Sequence, residues 1–295
     1  MTKTAPLPAQ FAAKSSIIKE LLINTADENY VVARTCFHAN LNVDFFWLAV
    51  HCLEKYLKAV LLHNGHSAKS YGHNIVELYK DVRPLAPELL PPNLVRPEGM
   101  PQELWREEPV VEFIERLHKD GQADNRYQLF GYVRRAEDLW KFDQVVFSVR
   151  RLCQPLEAHF LYKERPGAPN DTKREWMLKD PRSWNLHGIL ESVIEGGRGE
   201  TVRHAFLNWN RPFAPEGYHH TETDYRSASR EPVLVRRLFD PLRAGPENFR
   251  EADELWEWVN RNIQLPKWLV NEIEEERIRL KETHDVEKHE RKIGS

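Results

Sequence analysis

Residues 45–64 carry polar side chains whose spacing places them on one face of a helix. At about 100° per residue, this face holds Trp47, His51, Glu54, Lys55 and Lys58. Glu54 precedes Lys58 by four residues, which is the favourable order for an ion pair along a helix. One interpretation is a solvated helix face with a single ion pair. The other is a surface that binds a phosphorylated ligand.

The second interpretation gives each of these groups a chemical role. Glu54, Lys55 and Lys58 are the predicted ligand-binding residues, and the two lysines would contact phosphate. His51 and His73 would converge on this surface from adjacent helices. They could contact base edges or act as general acid and base, because imidazole titrates near neutral pH.

A second candidate pair lies in the preceding helix. Arg34 and His38 are four residues apart, so both project from the same helix face. An arginine that binds a scissile phosphate and a histidine that moves a proton are what a metal-independent ribonuclease needs. The alternative interpretation is a surface salt bridge with an acidic neighbour. Together with His51 and His73, this pair completes the set of candidate catalytic residues.

The composition excludes several classes of protein. The chain has 295 residues and a net charge of −3, so a nucleic-acid partner would require a local basic patch. Its three cysteines lack CxxC spacing and are predicted to be buried free thiols, so no metal site and no cofactor is expected. The sequence shows neither a secretory signal nor a run of apolar residues long enough to span a membrane. We therefore expect a cytoplasmic protein.

Nearly all periodic segments have the helical repeat, so an all-α fold is expected. A Pro/Gly/charge cluster at residues 163–175 is typical of a domain boundary. We predict a helical bundle over 15–163, with a proline-rich surface insertion at about 84–125, and a mostly helical C-terminal region over 176–295. The predicted bundle helices are 15–24, 27–41, 44–64, 74–82 and 136–153, and a further helix at 110–119 falls within the insertion.

The strongest helix and the one after it resemble the HEPN family. The resemblance is carried by an EKxLKA-type core followed, after a short loop, by a His-led helix: Glu54, Lys55, Leu57, Lys58 and Ala59, then His73, Ile75 and Leu78. It covers roughly residues 15–160. It implies an antiparallel bundle of four or five helices, often dimeric, found in toxins, defence systems and companions of nucleotidyltransferases. The C-terminal third resembles no family that we can name.

The nuclease motif of that family is not where it should be. The motif is an Arg followed by a His after four to six residues, usually late in the bundle. Arg150 and Arg151 precede His159 by eight and seven intervening residues, and Arg34 and His38 have only three between them. Matching spacings at Arg182–His187 and Arg198–His204 lie outside the bundle and are expected by chance. The resemblance therefore favours binding over turnover.

Three functional hypotheses follow from the sequence. The first is a HEPN-like module that binds RNA, a nucleotide or a protein partner, as a homodimer, in a defence or toxin–antitoxin setting. The second is an active metal-independent endoribonuclease that uses Arg34, His38, His51 or His73. The third is an assembly protein whose polar stripe only packs a dimer.

Overall fold

The computed structural model describes residues 9–129, 131–160, 170–221 and 226–293, and it confirms the all-α prediction. Two three-residue strands, β1 (Tyr132–Arg134) and β2 (Ala228–Arg230), form a small sheet. The helices are α1 (Ala9–Ile18), α2 (Asn24–His38), α3 (Asn42–His63), α4 (Ile75–Val82), α5 (Val110–Asp120), α6 (Asp138–Arg150), α7 (Lys173–Lys179), α8 (Ile189–Ile194), α9 (Glu200–Leu207), α10 (Val233–Ala244), α11 (Phe249–Asn262) and α12 (Lys267–Ile293). None of these described helices is long and apolar enough to cross a membrane.

Helices α1 and α2 form one continuous helix instead of the two predicted. A π-helical turn, Lys19–Ile23, joins them without a break. Asp27, the first residue of the predicted helix 27–41, therefore does not begin a new helix. Asp27 lies inside the helix and is completely buried, where it serves as an ion-pair partner.

Helix α3 is the central element of the bundle and packs against α2, α4, α5 and α6. Its apolar face is fully buried through Phe45, Leu53 and Leu57. The helix ends where Gly65 adopts a φ of 83°, a left-handed conformation that glycine tolerates without strain. A short loop then leads to α4, whose first turn is capped by the side chain of Asn74.

Most of residues 83–109 are exposed, but the segment also contributes to the core. It contains two 3-10 turns, Arg83–Leu85 and Gln102–Leu104, and it buries large apolar side chains, including Leu90, Leu94, Met100 and Trp105. Prolines prevent a regular helix here without preventing burial, because backbone irregularity and side-chain burial are independent properties.

The chain divides into two compact units. The first comprises Met1–Arg126 and Val133–Ala228, and the second comprises Tyr127–Tyr132 and Ser229–Ser295. The described residues 170–221 thus belong to the same unit as the bundle, although the sequence placed a boundary at 163–175. The division into two domains, 15–163 and 176–295, remains a prediction.

The second unit has a core of its own. Helices α10, α11 and α12 bury Leu238, Leu242, Trp256, Val259 and Ile273 against one another. Helix α10 begins at Val233, directly after Pro232. A mostly helical C-terminal region is thereby confirmed.

Candidate functional site

Four members of the predicted stripe lie along one face of α3. Trp47, His51, Glu54 and Lys58 are separated by four, three and four residues, which returns each side chain to the same side of the helix. The rings of Trp47 and His51 stand perpendicular, with centroids 3.9 Å apart. We call these four residues the α3 stripe.

Glu54 is the centre of the stripe. Its Oε2 lies 3.5 Å from His51 Nδ1 and 3.0 Å from His73 Nδ1, and its Oε1 accepts a 2.6 Å hydrogen bond from Lys58 Nζ. Burial by itself raises the pKa of Glu54, but the hydrogen bonds from His51, Lys58 and His73 outweigh burial and lower the pKa to about 2. The carboxylate is therefore ionised at physiological pH.

His73 reaches the stripe from the loop that precedes α4. Its side chain is 80% exposed, and its ring centroid lies 6.0 Å from that of His51. Lys58 also donates to the backbone carbonyl of Gly72 at 2.7 Å, which fixes this loop against α3. The structure thus brings together His51, Glu54, Lys58 and His73, as the short loop predicted.

Lys55 does not share this surface. Its ammonium group donates to Asn29 Oδ1 at 2.5 Å and therefore points towards α2. Burial lowers the pKa of Lys55 from its ordinary value. A residue at position 55 is displaced by 100° from its neighbour at 54, so one step along the helix moves the lysine from the stripe to the helix interface.

Arg34 is completely buried, in contrast to the predicted contact with a phosphate. Its guanidinium pairs with Asp143 of α6 and donates to the backbone carbonyls of Ala205 and Asn208. Tyr30 donates to the same Asp143 carboxylate at 2.7 Å. All three nitrogens of the guanidinium donate hydrogen bonds within this network. We therefore assign Arg34 a structural role.

A second buried ion pair joins the same two helices. Arg150 of α6 binds Asp27 of α2 through two hydrogen bonds of 2.8 and 2.9 Å, and it also binds Glu191 at 3.0 and 3.1 Å. Each helix supplies an aspartate followed seven residues later by an arginine, Asp27 and Arg34 on α2 and Asp143 and Arg150 on α6. Only an antiparallel arrangement of α2 and α6 allows both pairs to form. The two equal Asp–Arg spacings in the sequence are the signal that indicates these pairs.

His38 lies elsewhere, at the end of α2. It lines a cleft of about 490 Å³ together with Arg134, His204 and Thr221. Burial, and then the positive charge of Arg34, lower the pKa of His38 to about 3, so its imidazole is neutral at physiological pH. The four candidate catalytic residues are thus divided between the α3 stripe, this cleft and the protein interior.

The first unit is an all-α bundle that carries a polar stripe on α3. A family model of the HEPN domain matches residues 19–153, which include α2, α3, α4, α5 and α6. The match bears out the resemblance to the HEPN family that the EKxLKA core and the His-led helix carry. No curated protein and no solved structure matches the chain.

Proposed function

We propose that this HEPN domain binds RNA or a nucleotide and does not cleave RNA. The observation that carries the proposal is the use of Arg34 of α2 and Arg150 of α6 in buried ion pairs with Asp143 and Asp27. A metal-independent ribonuclease needs an accessible cation beside the scissile phosphate to stabilise charge that develops during cleavage. Neither arginine is placed to do this.

The α3 stripe, with His73, is the proposed contact surface for the ligand. An ammonium group has three hydrogen-bond donors, and Lys58 uses two of them on Glu54 and on the Gly72 carbonyl. Its third donor is the proposed phosphate contact. The exposed ring of His73 offers apolar and hydrogen-bonding contacts to a base. Lys55 is left out of this set because it binds Asn29.

The test is a binding titration of the full chain with mononucleotides and with a labelled single-stranded oligoribonucleotide. We expect Lys58→Gln and His73→Ala to weaken binding by about tenfold, which corresponds to the loss of one charge-assisted contact. His66→Ala is the matched control, because His66 is an exposed histidine of the same loop. Unchanged affinity for RNA and nucleotides in both Lys58→Gln and His73→Ala would contradict the α3 stripe as the contact surface.

The alternative is an active metal-independent endoribonuclease. It is favoured by one observation, the proximity of the His51 and His73 rings to each other and to Lys58, which is an arrangement suited to general acid–base chemistry. Incubation of the protein with total RNA in EDTA distinguishes the two functions. Cleavage that disappears in the double variant His51→Ala, His73→Ala would establish the ribonuclease, whereas we expect intact RNA.

Self-association as a homodimer is proposed along with this function. The continuous helix α1–α2 leaves Ile17, Leu21 and Val32 exposed on its surface, and a second copy of the chain could cover them. Light scattering of the protein and of Leu21→Glu tests this, because a charge at the centre of such an interface should yield a monomer. A protein partner, and a role in defence or in a toxin–antitoxin pair, are proposed from family membership alone.

A further inference from the structure

Two histidines and a glutamate present three potential metal ligands to one point of the α3 stripe. These are Nδ1 of His51, Nδ1 of His73 and Oε2 of Glu54, and all three atoms lie within 4.8 Å of one another. We propose that His51, Glu54 and His73 form a binding site for a divalent transition-metal ion of the Zn²⁺ class. The inference goes beyond nucleotide binding and does not depend on it.

The distances between the ligand atoms suit such an ion. Zn²⁺ binds imidazole nitrogen and carboxylate oxygen at about 2.0–2.2 Å, so ligand atoms at tetrahedral angles are separated by roughly 3.4 Å. The separations of Glu54 Oε2 from the two imidazole nitrogens are 3.5 Å and 3.0 Å. Both values are close to the tetrahedral separation, and His73 can adjust its position relative to His51 because its side chain is 80% exposed.

The ligand types select the class of metal. Imidazole nitrogen suits Zn²⁺ and its first-row neighbours, whereas Ca²⁺ and Mg²⁺ prefer sites made entirely of oxygen. Two histidines and one carboxylate leave the fourth position of a tetrahedral ion open to solvent, as in catalytic zinc sites. His51 and Glu54 are held by α3, so two of the three ligands are fixed before the ion binds.

Lys58 determines how tightly this site would hold an ion. Its ammonium binds Oε1 of Glu54, the carboxylate oxygen that faces away from the two imidazole nitrogens. The lysine therefore orients the carboxylate, but its positive charge opposes a second cation nearby. Replacing Lys58 by Gln should strengthen metal binding, whereas the same substitution should weaken the binding of a phosphorylated ligand. The opposite signs separate the two proposals.

The experiment is a titration of the EDTA-dialysed, nucleotide-free full chain with Zn²⁺ by calorimetry and with Co²⁺ by visible absorption. We expect one equivalent of metal to bind, with the d–d bands of a low-coordinate Co²⁺ site. His73→Ala should weaken binding at least tenfold, His66→Ala should leave it unchanged, and Lys58→Gln should tighten it several-fold. Circular dichroism confirms that each variant is folded.

Three results would overturn the metal site. They are the absence of saturable Co²⁺ binding, an unchanged affinity in His73→Ala, and weaker metal binding in Lys58→Gln. The second result would assign any bound ion to other histidines of the chain. Loss of RNA binding in Lys58→Gln, together with tighter metal binding, would support both proposals. Absence of RNA binding with intact metal binding would contradict only the proposed function.

Discussion

The arginines of the bundle show how a residue type that suggests catalysis can serve the fold. Arg34 and Arg150 are buried, and each is neutralised by an aspartate of the opposite helix. Such a pair contributes little net stability relative to well-packed apolar residues, but the loss of one partner leaves an uncompensated buried charge. Tyr30 and Tyr56 complete the hydrogen bonding of the two carboxylates.

At the residue scale, Arg34→Ala should lower the free energy of unfolding by about 3–5 kcal/mol, because the Asp143 carboxylate would remain buried without its partner. Urea denaturation followed by circular dichroism measures this loss. Arg198→Ala is the control, because Arg198 is half exposed and its ion pair with Glu28 is long, at 3.9 Å. This substitution should change the free energy of unfolding by less than about 0.5 kcal/mol. Wild-type stability in Arg34→Ala, combined with weaker RNA binding, would return Arg34 to the role predicted from the sequence.

A second residue-scale prediction concerns pH. Glu108 binds the buried Lys141 at 2.7 Å and Arg116 at 3.0 Å. Burial raises the pKa of Glu108, but these cations outweigh it and lower the pKa to about 2. The folded-state pKa of Glu108 thus lies below its unfolded value of 4.5. The ion pairs of Glu108 therefore stabilise the fold fully above pH 4.5, and this stabilisation is lost as the pH falls towards 2.

Stability measured from pH 6 to pH 2 should therefore decrease less steeply in Glu108→Gln than in the wild-type protein. At pH 7 the same variant should be less stable by on the order of 2–3 kcal/mol, because Lys141 loses a charged partner. Parallel stability–pH curves for the two proteins would show that Glu108 is not a source of the acid sensitivity.

At the scale of the element, the start of α4 determines where His73 lies. Asn74 follows His73 directly, and its side-chain oxygen accepts hydrogen bonds from the backbone N–H groups of Val76 and Glu77. This cap fixes the first turn of α4 and therefore the direction of the loop that carries His73. The position of His73 on the stripe depends on a helix cap as well as on its own contact with Glu54.

Asn74→Ala should destabilise the protein by about 1 kcal/mol, which is the usual cost of losing an N-cap. Since the loop would also be less ordered, the variant should bind RNA more weakly than the wild type, and Asn74→Asp should restore both properties. Thermal unfolding measures the stability, and the titration with the labelled oligoribonucleotide measures RNA binding. A loss of stability without any change in binding would show that the cap does not position His73.

At the scale of the whole molecule, net charge limits the way in which RNA can be bound. The chain carries −3 overall, and the proposed surface offers few cations: Lys58, and Arg126, whose guanidinium lies 4.3 Å from the centre of the Trp47 ring. Non-specific attraction to the RNA backbone should therefore be weak. Affinity would come from a few positioned contacts instead of a broad basic patch.

The salt dependence of RNA binding tests this view. For single strands, the logarithm of the binding constant falls with the logarithm of salt concentration by about 0.7 per neutralised phosphate. We expect a slope no steeper than about −2. A slope of about −4 or steeper would indicate many phosphate contacts and therefore a binding surface larger than the α3 stripe.

The sequence by itself determined the helices and the local part of the site. Helix periodicity depends on residues within one or two turns of each other, so α3, α4 and α6 were predictable from their apolar spacing. The Glu54–Lys58 pair is also local, since it spans four residues of one helix. The approach of His73 to Glu54 follows from a short loop between adjacent helices.

Only the tertiary structure decided which polar residues face solvent. Arg34 binds Asp143 across 109 residues of sequence, and Arg150 binds Asp27 across 123, so the equal Asp–Arg spacings of α2 and α6 become informative only once the two helices are packed together. Tertiary packing also decides the surroundings of Lys55, which turns to Asn29 of α2, and of Trp105, which is buried despite its proline-rich surroundings. The physical reason is that desolvation and ion pairing depend on groups that folding brings together from distant positions, whereas helix formation depends on near neighbours.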